Sequence, residues 1–347
     1  MKRGTAKRTA KAPVRKTRPK SSGSGASVVV QLDAIEDDGG DGTLDLGGGV
    51  SLSVSSLGKV FFPRDRITKG DVMRYYAQVE EAILPVMRDR PLVLKRYPDG
   101  IDGQSFYQQK APDKVPPAVR AETIRNERGE QQRRLIGGDL ATLLYTIQLG
   151  AVSVDPWHSR VPRLELADFT ILDLDPGPKA PFSRVVEVAK LVHEELDALS
   201  LTAVPKTSGS SGMHIVVPLQ PGVSDETAVL AAQLIATRVA SRAPAIATVE
   251  RSVRARPAGT VYVDYLQNIR AKTVAAAYAV RARPGATVST PLKWKEVDRS
   301  LDPREFTIET VPGRLRRRGD IWARDMKKGN SIRALLDTPI RAAKAPR

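Results

Sequence analysis

Two aspartates one residue apart, Asp173 and Asp175 in Leu172-Asp173-Leu174-Asp175-Pro176-Gly177, are the side chains whose type and spacing most directly suggest chemistry. The run from Leu164 to Leu174 is apolar and β-branched enough for a buried strand, which Pro176-Gly177 terminates. Residues two apart on a strand share a face, so both carboxylates project together while Leu172 and Leu174 pack behind them. Like charges held that close repel unless a cation lies between them, which points to a divalent metal bound by oxygen ligands. The plain alternative is a strand end with two solvated aspartates before a turn. A third acid bears on the choice. Asp264 lies at the centre of Thr260-Val261-Tyr262-Val263-Asp264-Tyr265-Leu266-Gln267-Asn268, where an ionised carboxylate amid Val, Tyr and Leu is costly unless it is paired or metal-bound.

A second candidate is Ser208-Gly209-Ser210-Ser211-Gly212, a short loop of small residues between Thr202–Thr207 and Met213–Leu219, both read as strands. Such a loop exposes backbone N–H groups that can cradle phosphate oxygens, although alone such a loop is most often a plain hairpin turn. Its flanks, Lys206 and His214, make an anion site more credible. His158, beside Trp157, reads on its own as structural. The adjacent aromatics Phe106 and Tyr107, in Ser105–Lys110, suit base stacking, with one of the two expected to face the core.

The elements that must position these groups follow from periodicity. Thr68 or Gly70 is expected to cap a helix running through Val72, Met73, Tyr76, Val79, Ile83 and Val86. Strands are expected at Pro91–Pro98 and Ala276–Arg283. Helices are expected from Asp139 to Leu149, with Gly150 as its C-cap, from a Ser183 cap through Leu199, and over 225–243. A basic cluster, Arg314-Leu315-Arg316-Arg317-Arg318, precedes a last helix near Ile321–Met326.

The 347 residues, 41% hydrophobic, suffice for one large or two ordinary cores. The absence of cysteine excludes disulfides and thiolate-bound zinc. No apolar run approaches the roughly 20 residues that span a bilayer, so a soluble, intracellular protein without a membrane partner is expected. Net charge is +16 and the isoelectric point about 10.1, as expected for a protein with a polyanionic partner. Residues 1–20 carry nine Lys or Arg and no acid, while 21–50 carry six acids and no base, so the remainder holds the excess of +13. Residues 1–50 read as a disordered tail, basic and then acidic and glycine-rich.

Taken in order, Lys59-Val60-Phe61-Phe62-Pro63, Thr68-Lys69, Pro156-Trp157-His158-Ser159-Arg160, the Leu-Asp-Leu-Asp-Pro-Gly pair, Lys206-Thr207-Ser208-Gly209 leading to Gly212-Met213-His214, Asp264–Asn268 and Arg281 resemble the polymerase domain of bacterial DNA ligase D. That domain belongs to the archaeo-eukaryotic primase superfamily. The likeness runs from about Leu57 to Trp294. It implies an α+β primase-polymerase fold over 51–300, with an N-terminal α/β unit to about 150 and an RRM-like mixed-sheet catalytic palm from 151 to 300. Residues 301–347 are expected as a basic extension with short helices.

The resemblance also implies template-dependent nucleotide addition, gap filling and end extension in bacterial non-homologous end joining. Asp173, Asp175 and Asp264 would be the catalytic acids and hold two Mn²⁺ or Mg²⁺ ions. Lys95, His158, Ser208, Gly209, His214, Gln267 and Arg281 would contact an NTP or dNTP. Lys59 and Lys69 would grip a downstream 5′-phosphate, with Phe106 and Tyr107 stacking near the templating base. The implied partners are double-stranded DNA ends and gaps, Ku and a DNA ligase, and the implied location is the bacterial nucleoid in the cytoplasm. Two departures stand out. Ser211 occupies the place where the family usually has Lys, for which Lys206 is expected to compensate in part, and the basic residue before the third acid is displaced to Arg254 or Arg256. No Lys-x-Asp-Gly ligase motif occurs, so ligation is expected from elsewhere. A non-catalytic DNA-end-bridging module and a stand-alone primase-polymerase of repair or replication are the alternatives.

Overall fold

The computed structural model describes residues 25–126 and 128–337. The basic arm ahead of residue 25 lies outside them. The acidic stretch after it was expected to be disordered and is not. Helix α1 (Gly25–Asp37) is followed by a hairpin of β1 (Gly42–Asp45) and β2 (Ser51–Val54). Val28 and Leu32, one helical turn apart, are fully buried beside Leu44 and Leu46. The acids that suggested a solvated tail instead meet a guanidinium of the folded body: Arg74 lies 3.3 Å from Asp33 and 2.5 Å from Glu36.

A second hairpin, β3 (Val60–Phe62) and β4 (Ile67–Thr68), leads into α2 (Lys69–Gln78). Thr68 caps that helix reciprocally: its hydroxyl accepts the Asp71 N–H at 3.1 Å, and the Asp71 carboxylate accepts the Thr68 N–H at 2.8 Å. The single helix expected to reach Val86 is two, because the backbone leaves helical geometry at Val79 (φ −109°) before α3 (Glu80–Met87). An antiparallel sheet places β5 (Leu92–Arg96) between β6 (Phe106–Gln108) and a later strand, and β7 (Ala121–Arg125) pairs with β8 (Gln131–Leu135). Helix α4 (Leu140–Gln148), capped by Asp139, ends at Gly150 (φ +82°), and β9 (Ala151–Pro156) then completes the β6-β5-β9 sheet.

The larger sheet comprises β10 (Phe169–Pro176), β11 (Val204–Thr207), β12 (Met213–Pro218), β13 (Ala247–Thr248) and β14 (Val261–Asp264), in the order β11-β12-β10-β14-β13. Only β13 and β14 run parallel, so the sheet is mixed. Alternation divides its residues. Leu172 and Leu174 pack with α5 (Phe182–Ala198) and α6 (Asp225–Arg242) through Val185, Val192 and Ile235, whereas Phe169 and Ile171 join the core of the N-terminal unit. Asp173 and Asp175 share the parity of Phe169 and Ile171 and therefore face away from α5 and α6. Helix α5 starts after Pro181 without a side-chain cap, so Ser183 sits in its first turn instead of capping it.

Two expected strands are shorter or absent. The segment from Thr260 stops pairing at Asp264 and turns into a 3₁₀ helix, Leu266–Asn268, whose Asn268 side chain bonds the Ile171 N–H and C=O at 2.8 and 2.7 Å. Ala276–Arg283 forms no strand; its ladder reduces to one bridge, Val280 to Val288. Of the C-terminal extension expected over 301–347, the described part, to Asp337, is built into the body and does carry short helices. After α7 (Thr310–Arg318) and α8 (Ile321–Asp325) comes α9 (Arg333–Asp337); Val311 and Trp322 enter the first core, and Ile332 and Leu335 the second. No helix among the described residues is long and apolar enough to cross a membrane.

Candidate active site

The strand register sets four titratable side chains in one row. Lys206 on β11 pairs with His214 on β12, His214 with Asp173 on β10, and Asp173 with Asp264 on β14. Directly paired residues of antiparallel strands project to the same face, so the row crosses four strands on the side away from α5 and α6. Asp175 lies two residues further along β10, opposite Tyr262.

The acids carry the electrostatic mark of crowding. Burial and the neighbouring Asp264 push the Asp173 carboxyl up to about 7, and burial followed by Asp173 and Asp264 does the same to Asp175. Asp173 Oδ1 is buried and has no hydrogen-bond partner; the His214 ring is 3.3 Å away but off the line a hydrogen bond needs. Asp264 is held differently. Its Oδ1 accepts the Leu266 N–H at 2.7 Å and the Tyr262 hydroxyl at 3.2 Å, and its Oδ2 accepts the Gln267 side-chain amide at 3.0 Å. Among the described residues, no three His, Cys, Asp or Glu side chains close on one point fit for a metal ion.

A divalent cation nevertheless suits this set. The orphaned Asp173 oxygen and the raised proton affinity of both β10 acids are what an all-oxygen site shows when mutual repulsion goes uncompensated. Asp264 would complete the site by giving up its bond to Gln267.

The loop after β11 meets these acids at close quarters. A Cβ on Gly212 would fall 2.2 Å from the Leu174 carbonyl, and Gly209 sits at φ +69° with Arg281 Cγ 2.6 Å from where its Cβ would be. Both glycines are therefore required for close approach. The Ser208 hydroxyl is turned inward, accepting the N–H groups of Ser210 and Gly212 at 3.1 Å each. The amides of Gly209 and Ser211 have no partner among the described residues, leaving two donors for an anion. Arg281 reaches the Ser208 carbonyl at 3.5 Å.

Lys206 does not stand in for the missing loop lysine. It is 1% exposed, and its ammonium lies 2.5 Å from His214 Nδ1, 2.6 Å from Ser289 Oγ and 3.0 Å from the Ala275 carbonyl. Burial, then Arg281, lowers it to about 7. Burial and Lys206 hold His214 well below the usual imidazole range. His158 is also interior, its ring 4.8 Å from Phe169, and burial with Arg90 lowers it to about 3, so it is neutral. The displaced basic residue does reach the acids: the Arg256 guanidinium stacks 3.8 Å from the Tyr262 ring and favours the ionised form of Asp175.

Asp155 is a site residue the sequence reading passed over. On β9 it accepts from Ser153 at 2.6 Å and favours the protonated forms of both Lys206 and His214. Its position two residues ahead of Trp157-His158 was the available signal.

The remaining candidates lie on the N-terminal unit. Lys95 pairs with Tyr107 across β5 and β6, its ammonium 5.5 Å from the Tyr107 ring and 5.4 Å from that of Tyr97. Phe106 and Tyr107 are 47% and 65% exposed, so neither faces a core, since β6 is an edge strand covered on neither side. Lys69 and Lys59 are brought together: the Lys69 N–H bonds the Lys59 carbonyl at 2.8 Å, and burial with the nearby Lys59 charge lowers the Lys69 ammonium. Lys59 lies 3.5 Å from Asp99.

The family model of the LigD primase-polymerase domain matches residues 68–322. The chain is 31% identical over 269 residues to the bifunctional non-homologous end joining protein LigD of Bacillus subtilis, covering 77% of this chain and 43% of that protein. It is 34% identical over 286 residues to the multifunctional non-homologous end joining DNA repair protein LigD of Mycobacterium tuberculosis, covering 79% and 37%. It thus spans less than half the length of these curated relatives. Among solved structures it resembles the polymerase domain from Mycobacterium tuberculosis ligase D in complex with DNA, with a TM-score of 0.74 and 30% identity over 80% of this chain and 99% of that one.

Proposed function

The chain belongs to the LigD primase-polymerase domain family, and from that membership we propose that it is a template-dependent nucleotidyltransferase that fills gaps and extends DNA ends during bacterial non-homologous end joining. The observation that carries the reading is the register row, which sets Asp173 and Asp264 side by side next to a loop with two free amides. Its substrates are an NTP or dNTP and a duplex end or gap bearing a 5′-phosphate, and Ku and a DNA ligase are its partners in the nucleoid. The +16 charge suits the polyanion.

Asp173, Asp175 and Asp264 hold two divalent cations, Mn²⁺ or Mg²⁺. Such ions ease deprotonation of a primer 3′-hydroxyl and stabilise the charge of departing pyrophosphate. The amides of Gly209 and Ser211 bind triphosphate oxygens, Arg281 adds charge at their side, and His214 and His158 bound the nucleotide from the sheet. Gln267, its amide released from Asp264, contacts the nucleotide. Lys59 and Lys69 bind the 5′-phosphate across a gap, and Phe106 or Tyr107 stacks on the template.

Extension of a gapped, 5′-phosphorylated duplex with Mn²⁺ tests the reading, with rNTP set against dNTP. Extension is expected with wild type and is expected to disappear in Asp264→Ala while DNA binding stays within about twofold. Retained extension in that variant would remove Asp264 from its role. The end-bridging alternative is favoured by one observation: Ser211 stands in the loop and Lys206 is buried, which leaves the loop without a lysine. Wild type that extends no substrate yet selects 5′-phosphorylated ends would support it.

A further inference from the structure

Lys206 has the geometry of a residue that acts through its neighbour. Its three N–H bonds have three acceptors, and the direction of each can be assigned. The Ala275 carbonyl can only accept. The Ser289 hydroxyl donates its own proton to the Thr207 carbonyl at 2.8 Å, so its oxygen must accept from Lys206 at 2.6 Å. The third N–H is left for His214 Nδ1 at 2.5 Å.

A neutral amine could instead accept from an Nδ1–H. In the neutral ring that would leave Nε2 as a bare acceptor 3.3 Å from the Asp173 Oδ1 acceptor, with no hydrogen on the ring edge between them. The arrangement without conflict has Nδ1 bare and the hydrogen on Nε2, at the edge of the ring that faces Asp173.

We propose that Lys206 is a positioning residue that fixes His214 in its Nε2–H tautomer and ring orientation, so that His214 presents a fixed hydrogen-bond donor beside Asp173 to the nucleotide. The nucleotide part of this statement rests on the polymerase reading above, whereas the tautomer does not. The assignment also accounts for where Lys206 stands. A lysine meant for phosphate would project into solvent, but this one is buried, with every donor used on protein. A catalytic histidine serving as a proton carrier would need a ring nitrogen free to take a proton. Here Nδ1 is already bonded to Lys206, so His214 works as a donor and not as a base.

The chain has three histidines, His158, His193 and His214, so ring nitrogens can be resolved individually by long-range ¹H–¹⁵N NMR. In the metal-free, nucleotide-free protein at pH 6, where Lys206 carries its third proton, His214 is expected to show the Nε2–H tautomer with a hydrogen-bonded Nδ1. An Nδ1–H signal in wild type would overturn the proposal without need of any variant. In Lys206→Met the Nδ1 resonance is expected to move toward that of a free imidazole nitrogen and tautomers to mix, while His193 stays unchanged. An unshifted His214 in a folded variant would also overturn it. Ser289→Ala, which removes one acceptor and keeps the ammonium, should preserve the wild-type tautomer and serves if Lys206→Met does not fold.

With a gapped substrate, Lys206→Met should raise the nucleotide KM about 10–100-fold, the range common for groups that orient a ligand, with a smaller change in kcat. An unchanged KM would overturn the positioning role. If wild type extends nothing, the polymerase reading fails while the NMR result still decides the tautomer.

Discussion

At the scale of single residues, the three aspartates differ in what restrains them. Asp173 and Asp175 are lifted to about 7, which means the folded chain binds their protons more tightly than the unfolded chain does. Such groups favour the fold below the ordinary carboxyl value near 4, and their contribution is lost as pH rises toward 7. His158 and His214, whose values are lowered, act in the opposite sense over much of the same range. The clean measurement is therefore a difference. In EDTA, the melting temperature of Asp173→Asn minus that of wild type is expected to grow as pH goes from 4 to 7, and Mn²⁺ should raise wild type but not the variant. A difference that stays constant with pH would deny the crowding of these acids.

Most of this residue-level chemistry was legible in the chain. The Asp-x-Asp spacing predicted that the two carboxylates share a face, because strand parity is a local rule. The roles of Lys206 and Asp155 were not legible, since they depend on which strand lies next to which. Lys206 reads as a spare cation in the sequence and becomes a buried support only once β11 pairs with β12.

At the scale of elements, α1 is the main departure from expectation. Val28, Leu32 and Ile35 recur at helical spacing, but the glycines and acids around them masked the signal. What fixes the helix is long-range: Arg74 on α2 bonds to Asp33, Glu36 and Asp71, and the apolar stripe drops onto the first core. Leu32→Ala is expected to cost about 2–5 kcal/mol, measured by urea unfolding. A cost below 0.5 kcal/mol would mean that α1 does not pack on the body. The Asp264 segment illustrates a second limit. Val261–Asn268 has strand composition throughout, yet Asn268 turns it into a 3₁₀ helix by taking over the Ile171 backbone groups, a cross-strand bond that no local pattern announces.

At the scale of the whole molecule, charge and the two cores set the terms. With +16 overall, binding to duplex DNA should fall linearly on a log–log plot against salt, with a slope of about −0.9 per phosphate neutralised. If Lys59 and Lys69 grip a 5′-phosphate, the double variant Lys59→Ala/Lys69→Ala should lose the preference for 5′-phosphorylated over 5′-hydroxyl gaps, measured by competition binding. Equal loss on both substrates would place the two lysines elsewhere on the duplex.

The segment from Pro303 to Asp337 adds a constraint of another kind. Phe306 touches both cores, Trp322 is sunk in one and Leu335 in the other, so this short length of chain is laced through the two halves like a stitch. Neither half can swing against the other without pulling an anchor free.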